Sequence, residues 1–458
     1  MATIKKTIIC KFVLGLMGLS SFTSCGLFSD NIPTDDQGKF FEYISDFHNT
    51  FFQPGIDAIK SNDLSLYVDY STCNVLGQNS PFYQALIPSW VDATKHFYSI
   101  KGDVINEEQG NTFSLLRSIQ DCNYADLVSA IEKMAASNGE SVLLTDGEYF
   151  QPTIAKDSPN NPYMSNALKI WLKKGHDVFV FAEPYKESYN GNVFNKKRFY
   201  IIFTDVRLRD NIYDRIMQTT KLQQFPEVEM FHLSADHPSL AAKDEYSKPN
   251  DNLSAEVKGF GSFEAQEWNI DWEDGIEPLL VYAVNQETGN PLPNGESFTG
   301  GIKVDRNSFG GYRITDVVAK VYNINQEFSD FCSSKASGQK IGGKLDPLPE
   351  QNYFAKVDEK EFSKHGVINL YFEASQFAPD LVLNGEPYNY TKIDICISKV
   401  QDMFSQYSHI FEFESIVVPG QKNTSVSESI KQCLADPDIK GMITSCPIYS
   451  IYIKSIER

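Results

Sequence analysis

The chain has 458 residues, with 60 Asp and Glu against 41 Lys and Arg, and a formal net charge of −19. A surface this acidic repels phosphate backbones and excludes nucleic acid as a partner. The length is enough for roughly two to four domains at ~100–200 residues each, every one able to bury a core.

At the N-terminus Lys5 and Lys6 precede an apolar stretch from Phe12 to Phe22. That stretch is too short for a bilayer, which needs ~20 apolar residues, and has the layout of a secretory leader. Ser21-Phe22-Thr23-Ser24-Cys25 follows, with small residues directly before a cysteine. This resembles a relaxed lipobox of bacterial lipoproteins, with Phe22 where Leu is usual. The resemblance implies a leader over residues 1–24, palmitate-type acylation of Cys25, and anchoring in the outer membrane, on its periplasmic or its surface face. Acyl chains hold firmly, at ~0.8 kcal/mol per buried methylene. Losing Lys5, Lys6 and Lys11 with the leader would take the net charge from −19 to −22.

Residues 25–37 are polar and turn-rich, a tether. Over 38–62 Phe40, Tyr43, Ile44, Phe47 and Phe51 recur at helical spacing, so a leading helix is expected up to Pro54-Gly55. From 63 to 225 short apolar runs alternate with helical patterns. Strands are expected at Leu64–Val68, Thr112–Ile119, Ser141–Thr145, Asp177–Phe181 and Phe199–Thr204. Helices are expected at Pro81–Tyr98, Asp126–Ala136, Tyr163–Lys174 and Asp210–Met217. Alternation of this kind predicts an α/β unit, a doubly wound and mostly parallel sheet covered on both faces.

Beyond about 225 the texture becomes short alternating segments between turn clusters. Strands are expected at Pro278–Val284, Gly311–Asn323, Val367–Ala374, Lys392–Val400, Ile410–Val418 and Ile448–Ile456, with one helix at Ser425–Ala435. This predicts one or two antiparallel β-sandwiches, over 226–345 and 346–458.

Open parallel sheets bind ligands at the carboxyl ends of their strands, and two such ends carry acids here. Asp69-Tyr70-Ser71-Thr72-Cys73 follows the first strand, and Thr145-Asp146-Gly147 follows a later one. Between them lies Asp121-Cys122-Asn123-Tyr124-Ala125-Asp126, leading into a helix. The order resembles the von Willebrand factor type A domain. That family has Asp-x-Ser-x-Ser after its first strand, a Thr in a middle loop and Thr-Asp-Gly after a later strand. The resemblance covers about residues 63–222 and implies a metal-ion-dependent adhesion site for a protein ligand. Its positions here are Asp69, Ser71 and Asp146, with Asn123 or Asp126 as a substitute ligand. Two departures mark the site as degenerate: Cys73 stands at the second serine position and Ala125 near the threonine position. The acids then either hold magnesium or calcium or are vestigial. Cys73 and Cys122, on loops this fold would set side by side, are either a disulfide staple that supports or replaces the metal's role or two free buried thiols.

Other signals are weaker. Asn269–Gly275 is acidic but lacks EF-hand spacing. Trp268, Trp272, Phe260 and Phe263 could stack on a sugar or lie in a core. No HExxH, GxSxG, Walker or CxxC pattern occurs, so no enzyme is indicated. The expected function is protein–protein recognition, as an adhesin or surface-complex assembly factor. The alternatives are a carbohydrate-binding accessory lipoprotein and a hydrolase with an unrecognised site.

Overall fold

The computed structural model describes Tyr43, Ile59 and residues 63–120, 124–151, 156–206, 208–235, 268–271, 279–284, 296–303, 306, 311–337, 355–372, 388–416, 418, 420–444 and 447–457. The leader, Cys25, the tether, Cys122, most of the leading helix and most of the Asn269–Gly275 loop lie outside these residues. So do Phe260, Phe263 and Trp272.

The first part builds one seven-stranded sheet. In chain order its elements are β1 (Leu64–Asp69), α1 (Thr72–Gly77), α2 (Pro81–Val91), β2 (Thr94–Lys101), β3 (Val104–Glu108), α3 (Thr112–Leu116), α4 (Leu127–Ala136) and β4 (Glu140–Thr145). A two-residue pair, β5 (Phe150–Gln151) and β6 (Lys156–Asp157), leads to α5 (Ser165–Lys173), β7 (Asp177–Tyr189), β8 (Asn192–Thr204), α6 (Ile212–Thr219) and β9 (Glu229–Leu233). The strand order is β3-β2-β1-β4-β8-β7-β9.

Only β2, β1 and β4 run parallel to one another, whereas β3, β8, β7 and β9 join antiparallel. The sheet is therefore mixed, not mostly parallel. The cause is local: no helix separates β7 from β8. They form a hairpin closed by Asn190 and Gly191, both at positive φ (48° and 78°). An Asn-Gly pair in that conformation makes the two-residue turn whose twist matches the flanking strands.

Two other expectations change for equally local reasons. The segment from Pro81 to Tyr98 is a helix only to Val91, and Thr94 starts β2, which buries Phe97 and Ser99 against β1. Thr112–Leu116 is a helix, not a strand, because the Asn111 side chain accepts the Ser114 N–H at 3.2 Å and caps it.

Both faces are covered, as the α/β pattern requires. Leu64, Leu66 and Val68 of β1, Val142 and Leu144 of β4, and Tyr200 and Ile202 of β8 pack with α2 and α6 on one side. Tyr67, Leu143, Ile201 and Phe203, from the alternate positions, pack with α4 and α5 on the other. This is period-two alternation, with both sets apolar.

At the sheet's other end, Glu140 starts β4, fully buried. Its Oε1 accepts the Ile212 N–H at 2.7 Å and the Thr204 hydroxyl. Burial holds this carboxyl above its ordinary value, opposed by those two donors and by Arg215. The folded chain thus binds the Glu140 proton more tightly than the unfolded chain does. The resulting stability is full below the ordinary carboxylate range and is lost as pH rises through the raised value. Glu140→Gln keeps an acceptor for both donors and removes the charge. It is expected to melt at or above the parent temperature near pH 8, with that advantage vanishing near pH 4, across a thermal series over this range.

Beyond β9 lie β10 (Trp268–Asp271), β11 (Leu279–Val284), β12 (Glu296–Lys303), β13 (Tyr312–Asn323), α7 (Asn325–Ser337), β14 (Ala355–Val357), α8 (Glu359–His365), β15 (Val367–Phe372) and β16 (Tyr388–Asp402). After them come β17 (Phe413–Glu414), β18 (Lys422–Asn423), α9 (Ser425–Leu434), α10 (Pro437–Ile443) and β19 (Pro447–Glu457). They form a five-stranded sheet, β10-β11-β19-β16-β13, a three-stranded sheet, β12-β15-β14, and the β17–β18 pair. The five-stranded sheet is mixed, since β11 and β19 run parallel.

The expected division at 345/346 is crossed by hydrogen bonding in both larger sheets. β13 pairs with β16, β11 with β19 and β12 with β15. The expected boundary at 225 is likewise passed, because β9 completes the first sheet. Ile410–Val418, expected as a strand, begins in a 3-10 turn ending at Phe411, and among its described residues Phe413–Glu414 alone form a strand. Helices beyond the one expected, α7, α8 and α10, also appear.

One apolar core runs from the seven-stranded sheet into this second part. Phe231 of β9 meets Phe404 and Phe411 edge-on, at ring separations of 5.8 and 5.4 Å. α9 and α10 lie against α5, where the Ser429 hydroxyl accepts the Met164 N–H at 3.1 Å and Lys173 reaches Asp438 at 2.6 Å. Tyr43 of the leading helix packs between Phe328 and Phe331 of α7 and donates to Glu327. No described helix is long and apolar enough to cross a membrane.

Candidate functional site

β1 and β4 are parallel neighbours in register, with Val68 beside Leu144, so Asp69 falls beside Thr145 at their carboxyl ends. The Thr145 hydroxyl donates to Asp69 Oδ2 at 2.9 Å. Asn74 of α1 ties the two strand ends together: its Nδ2 donates to the carbonyls of Asp69 (2.7 Å) and Leu144 (3.0 Å). Gly147 then turns the chain at φ +73°, and the Glu148 N–H donates to Asp146 Oδ1 at 2.9 Å.

The result is a convergence of three side chains. Asp69, Cys73 and Asp146 each offer one ligand atom, all within 4.8 Å of one another. Ser71 sits at the same place, its Oγ 3.2 Å from Cys73 Sγ. Asp69 is 2% exposed and Cys73 is fully enclosed. Among the described residues, Asp69 Oδ1 is buried and finds no hydrogen-bond partner.

Of the residues the sequence singles out, Asp69, Ser71, Cys73 and Asp146 meet here, and Asp126 does not join them. Asp126 caps α4 instead, accepting the Ser129 N–H at 3.2 Å and the Ser129 hydroxyl. Each of its oxygens holds one of these cap bonds. Cys73 is a free thiol, its sulfur directed at Ser71 and the two acids, and Cys122, its expected bridge partner, lies outside the described residues.

The surroundings include charges that sequence reading missed. Arg198 of β8 is buried, donates to Glu183 at 2.6 Å and to the Cys73 carbonyl from Nε and Nη2, and lies over the Tyr185 ring. Lys196 is equally enclosed and pairs with Glu148. Above Gly147 sits Val426 of α9, so the second part of the chain roofs the strand ends.

These contacts govern protonation. Burial raises the Asp69 carboxyl well above the ordinary range, and the Asp146 charge raises it further, against the Thr145 and Ser71 hydroxyls. The Cys73 thiol is also raised, by burial first and then by Asp146 and Asp69. A thiol held protonated in this way is no ready nucleophile. The group is instead a set of donors needing a proton or a cation between them.

Comparison with family models, curated proteins and solved structures finds no match. The site is therefore judged on its own donors. Magnesium asks for near-octahedral oxygen ligation, and calcium takes about 6–8 oxygens. A thiol in the set and an Asp126 carboxylate occupied elsewhere do not fit either ion.

Proposed function

We propose that this chain is a lipid-anchored envelope protein that recognises a protein partner through the rim formed where β1 and β4 end. The observation that carries the reading is the pairing of those strands, which brings Asp69 and Asp146 to one point at the carboxyl ends of parallel strands. Ligand sites gather at such ends. The likeness of Asp69-x-Ser71 and Thr145-Asp146-Gly147 to the type A adhesion motif supports it. The leader and Cys25 motif supports anchoring in the outer membrane. α9 lies over the rim, so partner entry on this reading involves the α9 edge as well as the loops.

The test places a photo-crosslinking residue at Leu76, an exposed position on α1, in cells expressing the full chain. A discrete adduct with an envelope protein, lost in Asp146→Asn, is the expected outcome. An adduct that persists in that variant, or none at all, refutes the rim. Anchoring is read separately, by incorporation of a labelled fatty acid that Cys25→Ser abolishes.

A further inference from the structure

We propose that Asp69, Cys73 and Asp146 bind one zinc ion, with Cys73 as a thiolate ligand and one position left for an outside donor. Three observations carry this. The first is convergence: the three ligand atoms already lie within 4.8 Å of one another. Tetrahedral zinc, with Zn–S of ~2.3 Å and Zn–O of ~2.0–2.2 Å, sets its ligands roughly 3.5 Å apart. Closing to that spacing takes a contraction of at most about 1.3 Å.

The second is the orphaned oxygen. Among the described residues Asp69 Oδ1 is buried without a hydrogen bond, while Oδ2 of the same carboxylate is held by Thr145 and the Ser71 hydroxyl stands near enough to favour the charged form. Leaving a buried acceptor unmade is costly, and a cation is one of the few partners that could satisfy it. Among the described residues the two buried cations nearby do not serve, since Lys196 holds Glu148 and Arg198 holds Glu183.

The third is donor chemistry. Two carboxylates and a sulfur suit a borderline ion, whereas the hard cations prefer an all-oxygen shell. The donors are also held in place from behind, as metal ligands usually are. Thr145 orients Asp69, the Glu148 N–H orients Asp146 and Ser71 stands against the Cys73 sulfur. Three protein ligands with a fourth place open is the arrangement of zinc sites that take an outside donor. On binding, the Cys73 proton and any proton on the carboxylates pass to solvent, and no redox change occurs.

The inference stands without any protein partner, and its test uses the purified full chain in detergent. Elemental analysis after growth in zinc-supplemented medium should find one zinc per chain, surviving desalting. Cobalt exchanged into the site should show the near-ultraviolet thiolate-to-metal charge-transfer band. Cys73→Ser should lose that band and weaken zinc binding by more than ~100-fold, the upper cost of removing a mere supporting residue. Asp126→Asn should keep full zinc stoichiometry. The assignment is overturned if wild-type chain retains no zinc or cobalt, if cobalt binds without the band, or if magnesium or calcium displaces zinc at equal concentration. Because the cobalt spectrum is read on wild-type chain, a variant that fails to fold leaves the proposal falsifiable.

Discussion

Arg198→Ala is expected to destabilise the protein by ~3–5 kcal/mol, the cost of removing one partner from a buried ion pair. The side chain is 1% exposed and answers three needs at once. It neutralises Glu183, which also accepts from Tyr200 at 2.6 Å and from Ser80. Its Nε and Nη2 converge on the Cys73 carbonyl, at 2.9 and 2.6 Å, which fixes α1 against β8. It also covers the Tyr185 ring. Truncation leaves the buried Glu183 charge without its cation, held only by the Tyr200 and Ser80 hydroxyls, and takes the guanidinium donors from the Cys73 carbonyl. Arg198→Lys is expected to recover little, since an ammonium lacks the planar fork that meets both acceptors. Gly77 gives a check on the same group. A Cβ there would stand 2.7 Å from Arg198 Nε, so Gly77→Ala should reproduce part of the loss by pushing the guanidinium aside. Urea unfolding of the variants reads the series, and an Arg198→Ala midpoint equal to wild type would refute the account.

The Arg198 pair also shows where sequence reading stops. The strand-end acids are legible, because Leu64–Val68 and Ser141–Thr145 are short apolar runs ending in Asp69 and Asp146, and parallel strands bring such ends together. The β7–β8 pairing is equally written in Tyr189-Asn190-Gly191-Asn192, a strong short-range hairpin signal. Taking that turn as the register origin sets Tyr189 opposite Asn192 and, counting back, Glu183 opposite Arg198, as the structure has them. Reading Asp177–Phe181 and Phe199–Thr204 as separate parallel strands hides the pair. Burial of opposite charges on an antiparallel ladder is then invisible, although both residues stand in the sequence.

What no local pattern reveals is the roof. Val426 is nearly 280 residues from Gly147 in sequence, and α9 reads only as an amphipathic helix in a β-rich region. Strand pairing in the second part is equally non-local: β11 and β19 are parallel neighbours although their first residues are separated by 168 positions. Alternation identifies such strands individually, but it carries no information on which of them pair. The division expected at 345/346 fails for that reason. A turn-rich stretch marks a loop, and a loop can lie inside a sheet's connections as easily as between domains.

The roof makes Gly147→Ala the second large effect. Gly147 sits at φ +73°, where a side chain costs ~1–2 kcal/mol against the following carbonyl. A Cβ there would also lie 2.6 Å from Val426 Cγ2 and 3.0 Å from the Phe199 ring. Phe199 is fixed within β8, so α9 is the element able to yield. The expected loss is ~2–4 kcal/mol, part backbone and part displaced helix. The two parts separate in a double-mutant cycle with Val426→Ala. That change removes the methyl in the way, so the combined variant should be more stable than the sum of the single losses by ~1–2 kcal/mol, the remaining deficit being the backbone term. Hydrogen exchange supplies the structural readout: α9 amides should lose protection in Gly147→Ala and regain it in the double variant. Strict additivity with unchanged α9 protection would mean that the helix does not rest on the strand ends. The strand-end acids would then be open to the outside, and the α9 edge would have no part in partner entry.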